Sequence, residues 1–297
     1  MQTNSFSGTI LTSSGSRREQ TPLVSVVMPV YNGAAHFTDA CGTVLRQSMA
    51  DLELLIVDDG STDGTRRIAD QIAREDPRVR SVLRDENSGL PAVPRNEGID
   101  LARGAFVAFI DHDDIWLSKK LDRQLRVLER RPDLAMVHSY LWGFHGRNPA
   151  NGLREICPPG EKATSYETLL RGNQVQMSSV LMRTDVLRSL GGFSEDVELR
   201  AVEDFELWLR LAAGCRIGYI PEVHGLYRIR PDSISRATAH RDRLAYLDQS
   251  RGTHFLHPSG SGMSRAIRRV AVTPAALWAH LGDGGVRYAT GLAPRVV

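Results

Sequence analysis

Cysteine is scarce in this chain, and long apolar runs are missing. Among 297 residues there are three cysteines, Cys41, Cys157 and Cys215, far apart and with no CxxC. That pattern fits neither a disulfide framework nor a zinc cluster, and it suits a reducing cytoplasm. No run reaches the ~18 apolar residues of a membrane span. Excess charge is also missing: 37 basic residues face 35 acidic ones, which argues against a dedicated nucleic-acid binder. Residues 1–21 are rich in Ser, Thr and Gly and lack a long apolar stretch. They are expected to form a loose leader rather than a signal peptide. No GxGxxG follows the first apolar run, and there is no GxxxxGK[ST], GxSxG or HExxH. Those gaps argue against a dinucleotide site, a P-loop, a hydrolase elbow and a zincin.

What is present is an ordinary globular composition, 41% apolar and 24% charged, in a chain long enough to bury a large core. Residues 23–30 (LVSVVMPV) are a continuous apolar run that reads as a strand covered on both faces, and 52–57 (LELLIV) read as a second buried strand. Residues 79–83 and 105–110 (AFVAFI) read as a short third strand and a fourth. Helical spacing fills the intervals at 34–47, 66–74 and 91–102, with Asp63 placed to cap the second helix and Pro94 placed to delay the third. This β-α-β-α-β-α-β order predicts an α/β fold with a mostly parallel sheet flanked by helices. Ligands then bind at the carboxyl ends of the strands. Further helices are expected at 118–130, 165–170 and 202–213, with strands at 134–144, 179–182 and 217–227. Short helices are expected at 266–272 and 275–281.

Four clusters at these positions carry chemistry. Asp111-His112-Asp113-Asp114 follows the fourth strand. Crowded carboxylates repel unless a cation neutralises them. Mg²⁺ or Mn²⁺ suits such oxygen ligands and leaves coordination sites for phosphate; an acidic loop or a helix cap is the alternative. Asp58-Asp59-Gly60-Ser61 is either a turn or a carboxylate acceptor for a base N–H. Glu203-Asp204 opens a helix whose dipole favours an ionised carboxylate. The pair is a candidate general base or a charge-complementing first turn. Arg228 and Arg230, in YRIRPDS, offer forks for phosphate oxygens or a basic surface.

Taken together and in order, VSVVMPVYNG (24–33), LELLIVDDGSTDGT (52–65), NSGLPAVPRNEGIDLARGAFVAFIDHDD (87–114), WLSKKLDRQLRVL (116–128), VEDFELWLRL (202–211) and YRIRPDSISR (227–236) resemble family 2 glycosyltransferases of the GT-A fold. The resemblance covers residues 22–236 and implies a catalytic domain with a nucleotide-sugar-binding half (22–115) and an acceptor half (116–236). It implies that Pro29 and Tyr31 line the base pocket, that Asp59 takes the base N–H with Asp58 supporting the loop, and that Arg95 borders the nucleotide. It also implies that Asp113 ligates Mg²⁺ or Mn²⁺, that Asp111 reaches the ribose or a metal-bound water, that Asp204 is the catalytic base, and that Glu203 positions its loop. The chain departs from the pattern at Arg230, where many relatives carry His. A guanidinium cannot ligate a metal, so Arg230 is assigned to the diphosphate with Arg228, or His224 substitutes. Pro91 and Pro94 replace the small residues usual in their loop.

The expected reaction is an inverting, metal-dependent transfer from a nucleotide-diphospho-sugar to an acceptor hydroxyl or amine. A UDP-sugar is favoured; thymine presents the same N–H, and guanine stays open. An Asp of ordinary pKa, ~3.9, is ionised at neutral pH but is a weak base. The competing classes are a nucleotidyltransferase and a non-catalytic sugar-nucleotide-binding module. The former normally uses a basic Gly-rich loop after the first strand, and residues 29–33 contain no Arg or Lys. Residues 237–297 are expected to be a basic helical extension. From Arg251 onward the chain carries +5, against −3 for the rest. Such a tail suits a solvated arm, a homodimer contact, a lid, or peripheral contact with an anionic membrane; the acceptor stays open among a lipid-linked glycan, a surface polysaccharide and a small natural product.

Overall fold

A computed structural model of the chain describes residues 9–11, 21–149, 152–155, 165–170 and 172–231. The helices expected at 266–272 and 275–281, and the whole 237–297 extension, lie outside the described residues. The framework is one mixed sheet. The apolar runs become β2 (Val24–Val30), β3 (Leu52–Asp58), β4 (Val79–Leu83) and β5 (Phe106–Phe109), with every residue of β2, β3 and β5 buried. They pair in parallel in the order β4-β3-β2-β5. Strand order therefore reverses between β2 and β5, the place where α/β sheets open a crevice for ligands. Pro29 lies past Val27, the last β2 residue paired with β5, so its missing N–H costs that ladder nothing.

The sheet continues beyond β5 through β9 (Leu181–Arg183), β7 (Leu134–His145), β10 (Arg216–Ile229) and β6 (Ile115–Trp116), with β8 (Leu153–Glu155) beside β7. Here β9 is antiparallel to both neighbours, while β7 and β10 run parallel. The strand expected at 179–182 thus starts later, after a 3-10 turn at Met177–Ser179. Within the expected leader, Thr9–Leu11 forms β1, antiparallel to β4 at the sheet edge.

Alternation along the central strands divides two cores. Val26, Met28, Leu54, Ile56 and Ala108 face α1 (Phe37–Leu45), α2 (Thr65–Glu75) and α4 (Lys120–Arg130). Val27, Leu55, Val107 and Phe109 face α3 (Ala92–Leu101), α6 (Thr184–Ser189) and α7 (Glu203–Gly214). A single-turn helix, α5 (Tyr166–Leu169), packs on α7. Trp208, in the middle of α7, is fully buried. This packing holds the α7 N-terminus, and therefore Glu203 and Asp204, at a fixed position.

Candidate active site

The loops that follow β2, β3 and β5 meet above the reversal point. The first two are laced together. Asn32 N–H donates to Ser61 Oγ, and Asn32 Oδ1 accepts from Thr62 N–H, both at 2.8 Å. Asp63 accepts from Thr65 N–H through one oxygen and from Ala34 N–H through the other, each at 3.1 Å. It therefore caps α2 from one residue outside the N-cap, which is Gly64. Asp58 is buried and accepts from Ser61 N–H at 3.1 Å, and burial pushes its carboxyl pKa up. Gly60 has φ +77°, and a Cβ there would sit 2.6 Å from Asn87 N, so only glycine allows the 86–88 segment this close.

That approach brings Ser88 and Arg84 onto Asp59. Ser88 Oγ donates to Asp59 Oδ2 at 2.8 Å, and Ser88 N–H reaches both carboxylate oxygens at 3.1–3.2 Å. Arg84 Nε lies 2.8 Å from Oδ1. Asp59 is thus held in one orientation beside the end of β2, its N–H bonded to Val30 O at 2.8 Å. Tyr31, at that strand end, is 47% exposed, and its ring is open to a flat partner.

In the third loop the four consecutive polar residues divide their tasks. Asp114 is buried, accepting from Ser178 Oγ at 2.6 Å and from Arg228 N–H at 2.9 Å. Burial, then Asp113 and Asp111, raise its pKa well above the ordinary carboxylate value. It anchors the loop from inside. Asp111 N–H donates to the same Ser178 Oγ at 3.0 Å. The His112 ring packs on Gly33, where a Cβ would come within 2.5 Å of it. The side chains of Asp111 and Asp113 stay 31% and 17% exposed.

Arg95 joins this loop to α7. Its guanidinium is buried, with Nη2 3.0 Å from Asp111 Oδ1 and Nη1 2.5 Å from Glu203 Oε1. It also lies over the Phe193 ring, 5.7 Å from the centroid. Both Nη groups are committed to carboxylates, so Arg95 is a buried tie between two motifs. Asp204, next to Glu203, is half-buried. One oxygen accepts from Phe205 N–H at 2.6 Å and the other from Asn173 Nδ2 at 3.2 Å. Burial and the Glu203 charge push its pKa up to about 7, against the pull of Arg95, the Phe205 N–H and Asn173. This lies above the ordinary value expected for this residue: burial and a like charge outweigh the groups that favour its ionised form.

Arg228 and Arg230 enter from the end of β10. Arg228 is buried over the Phe144 ring; its Nε donates to Asp113 O at 2.8 Å and its Nη1 to Gly146 O. Much of Arg228 therefore braces the acidic loop. Arg230 Nη1 meets Asp113 Oδ2 at 3.2 Å. Both line a cavity of about 360 Å³ together with Asn32, Gly33, His36 and Pro231. His36 has its pKa lowered by burial, then by Arg228 and Arg230. His224 does not join them. Its Nε2 lies 3.1 Å from Glu222 Oε2, and its charged neighbours are Glu222, Lys120 and Arg123. It is not the substitute ligand that was considered.

Among the described residues, no three His, Cys, Asp or Glu side chains cluster around a metal position. Asp111 and Asp113 are nonetheless two partly exposed hard oxygen donors on one loop. That set fits a Mg²⁺ or Mn²⁺ ion that takes its remaining ligands from phosphate and water. Arg84, Ser88, Asn173, Ser178 and Phe193 were missed from sequence. They act through folded proximity, with no spacing that would reveal them.

The mixed sheet with its reversal point, acidic loop and α7 carboxylates defines a GT-A glycosyltransferase. The profile of "Glycosyl transferase family 2" matches residues 25–188, and the chain belongs to that family. It is 34% identical over 215 residues to a Bacillus subtilis protein named "Putative teichuronic acid biosynthesis glycosyltransferase TuaG", covering 72% of this chain and 82% of that one. It is also 34% identical over 169 residues to an uncharacterised glycosyltransferase of Haemophilus influenzae, covering 57% of this chain and 65% of the relative. Among solved structures, S. aureus TarS 1–349 in complex with UDP-GlcNAc superposes with a TM-score of 0.63 at 20% identity, covering 75% of this chain and 65% of that one. A mannosyltransferase of Pyrobaculum calidifontis, in complex with GDP-Man and Mn²⁺, superposes with a TM-score of 0.56 at 22% identity, covering 76% and 62%. The chain thus spans about two thirds of several of these proteins. Among the described residues, no helix is long and apolar enough to cross a membrane.

Proposed function

We propose that the chain is an inverting transferase that moves a sugar from a nucleotide-diphospho-sugar, with UDP-sugars favoured, to an acceptor hydroxyl or amine. The observation that carries this reading is the Arg95 tie, which brings Asp111 of the donor-side loop and Glu203, the neighbour of Asp204, to one guanidinium. This tie supports a site shared by donor-handling acids and a base, although Asp111 and Asp204 lie 93 positions apart in sequence.

In this reading Tyr31 stacks on the base beside Pro29. Asp59, fixed by Ser88 and Arg84, accepts the imide N–H on one oxygen in place of the Ser88 N–H, which is shared between both oxygens. A divalent cation held by Asp113, with Asp111, would neutralise charge on the diphosphate. Arg230 and the outer edge of Arg228 face the same diphosphate from the cavity. Asp204 takes the proton of the acceptor as its oxygen or nitrogen bonds to the anomeric carbon, opposite the departing diphosphate. With its pKa near 7, Asp204 is a far better proton acceptor than an exposed Asp. The arginine forks stabilise the charge that develops on the leaving group.

The test is Asp204→Asn. Transfer, read as nucleoside diphosphate released from a panel of UDP-sugars, is expected to fall ~10²–10⁴-fold, with donor affinity nearly unchanged. Normal turnover by the variant would refute the base assignment. Conversion of a UDP-sugar and added pyrophosphate to UTP and sugar 1-phosphate would point to a nucleotidyltransferase.

A further inference from the structure

Arg95 is more than a buried ion pair that happens to lie near the site. It is the contact between the acidic loop after β5 and the first turn of α7 that carries charge compensation in both directions, with Asp111 at 3.0 Å and Glu203 at 2.5 Å. Its seat is stiff. The guanidinium rests over Phe193, whose ring packs edge-on against Phe109 and Trp208 at 5.2 and 6.4 Å. Glu203 Oε2 and Arg95 Nε are both buried without a hydrogen-bond partner among the described residues, so neither group can rotate to water cheaply. Glu203 is thereby withheld from proton transfer, while its neighbour Asp204 keeps an edge exposed.

We propose that Arg95 is a positioning residue for the transfer reaction: by clamping Glu203 and placing a buried positive charge beside Asp204, it decides which of the two adjacent carboxylates acts as base and at what pH. The inference rests on the proposed role of Asp204. The groups facing Asp204 are few. Glu203 comes from its own helix, Arg95 from α3, and the Asn173 amide from the segment before the 3-10 turn. Asp111 lies behind Arg95. Of these, Glu203 opposes ionisation of Asp204, while Arg95 and Asn173 favour it. Removing Arg95 leaves two neighbouring carboxylates with no buried counter-charge, and the proton on Asp204 should then be held more tightly. Removing the Glu203 charge should have the opposite effect.

The test is substrate-free. The Asp204 carboxyl is titrated by ¹³C NMR in chain labelled at Asp and assigned by the signal lost in Asp204→Asn. The midpoint should rise by ~1 pH unit in Arg95→Gln and fall by ~1 unit in Glu203→Gln. In the double variant it should return toward the parent value. A purely structural role would loosen the fold without this paired, opposite movement. A midpoint unmoved in Arg95→Gln would overturn the proposal. Should Arg95→Gln fail to fold, the neutral Arg95→Met variant carries the test, and an unmoved midpoint there refutes it. Failure of the base reading is distinguishable. In that case Asp204→Asn would keep its transfer activity, whatever the titrations show.

Discussion

Replacing the proposed base should make the protein more stable, and the gain should depend on pH in a way that reports the state of Asp204. In the folded chain, burial and Glu203 hold the Asp204 pKa at about 7, against ~3.9 in an unfolded chain. The folded state therefore binds the proton more tightly. A raised carboxyl contributes no penalty below the unfolded pKa, and stability is lost as pH rises from ~4 to ~7. Three units correspond to ~4 kcal/mol of ionisation cost, fully present at pH 8. At pH 5.5 only about half of that range has been crossed, so the cost is ~2 kcal/mol. Asn carries no such charge and keeps an amide oxygen for the Phe205 N–H. Urea unfolding of parent and Asp204→Asn should thus show a gain that is ~2 kcal/mol larger at pH 8 than at pH 5.5. Taking the difference between two pH values removes any contribution specific to the Asn side chain. A gain or loss identical at both values would mean that Asp204 has an ordinary pKa, and the reasoning about its environment would be wrong.

Three further outcomes follow from the same geometry. Transfer should follow the ionised fraction of Asp204 in the free enzyme, so kcat/KM for the donor should drop about tenfold from pH 7.5 to pH 6; a flat profile over that range would contradict it. Arg230→His removes the guanidinium 3.2 Å from Asp113 Oδ2 and adds a metal-competent nitrogen. Mn²⁺ binding in the presence of UDP, read by electron paramagnetic resonance, should tighten severalfold, and unchanged or weaker binding would show that the Arg230–Asp113 pair does not compete with the cation. Gly33→Ala places a methyl 2.5 Å from the His112 ring and 2.7 Å from Val30. It should destabilise the fold by ~1–3 kcal/mol and weaken UDP binding, which calorimetry would detect.

The parallel half of the sheet was legible because its strands are largely covered on both faces and so appear as short, mainly apolar runs ending in polar loops. The positions of Tyr31, Asp59 and Asp111–Asp114 follow from that alone, and the carboxylates of α7 follow from its amphipathic stripe. The antiparallel β9 was misplaced by two residues, because Ser179 and Val180 continue an apolar-looking stretch that the backbone uses for a turn. Contacts between distant segments left no local trace. Arg95 and Glu203 are 108 residues apart, and nothing in PRNEG marks its arginine as buried between two carboxylates. The pKa of Asp204 was misjudged for a related reason. A helix N-terminus is visible in sequence, but the burial that raises this pKa depends on how the folded chain packs around α7.

The most direct test of inverting transfer is the configuration of the sugar product at first formation. The chain is incubated with α-linked UDP-sugars and Mn²⁺, and the anomeric proton of the new product is followed by ¹H NMR before mutarotation or further turnover. A β-configured product released together with UDP is the predicted result. An α-configured product, or uridine monophosphate and sugar 1-phosphate in place of UDP, would contradict it.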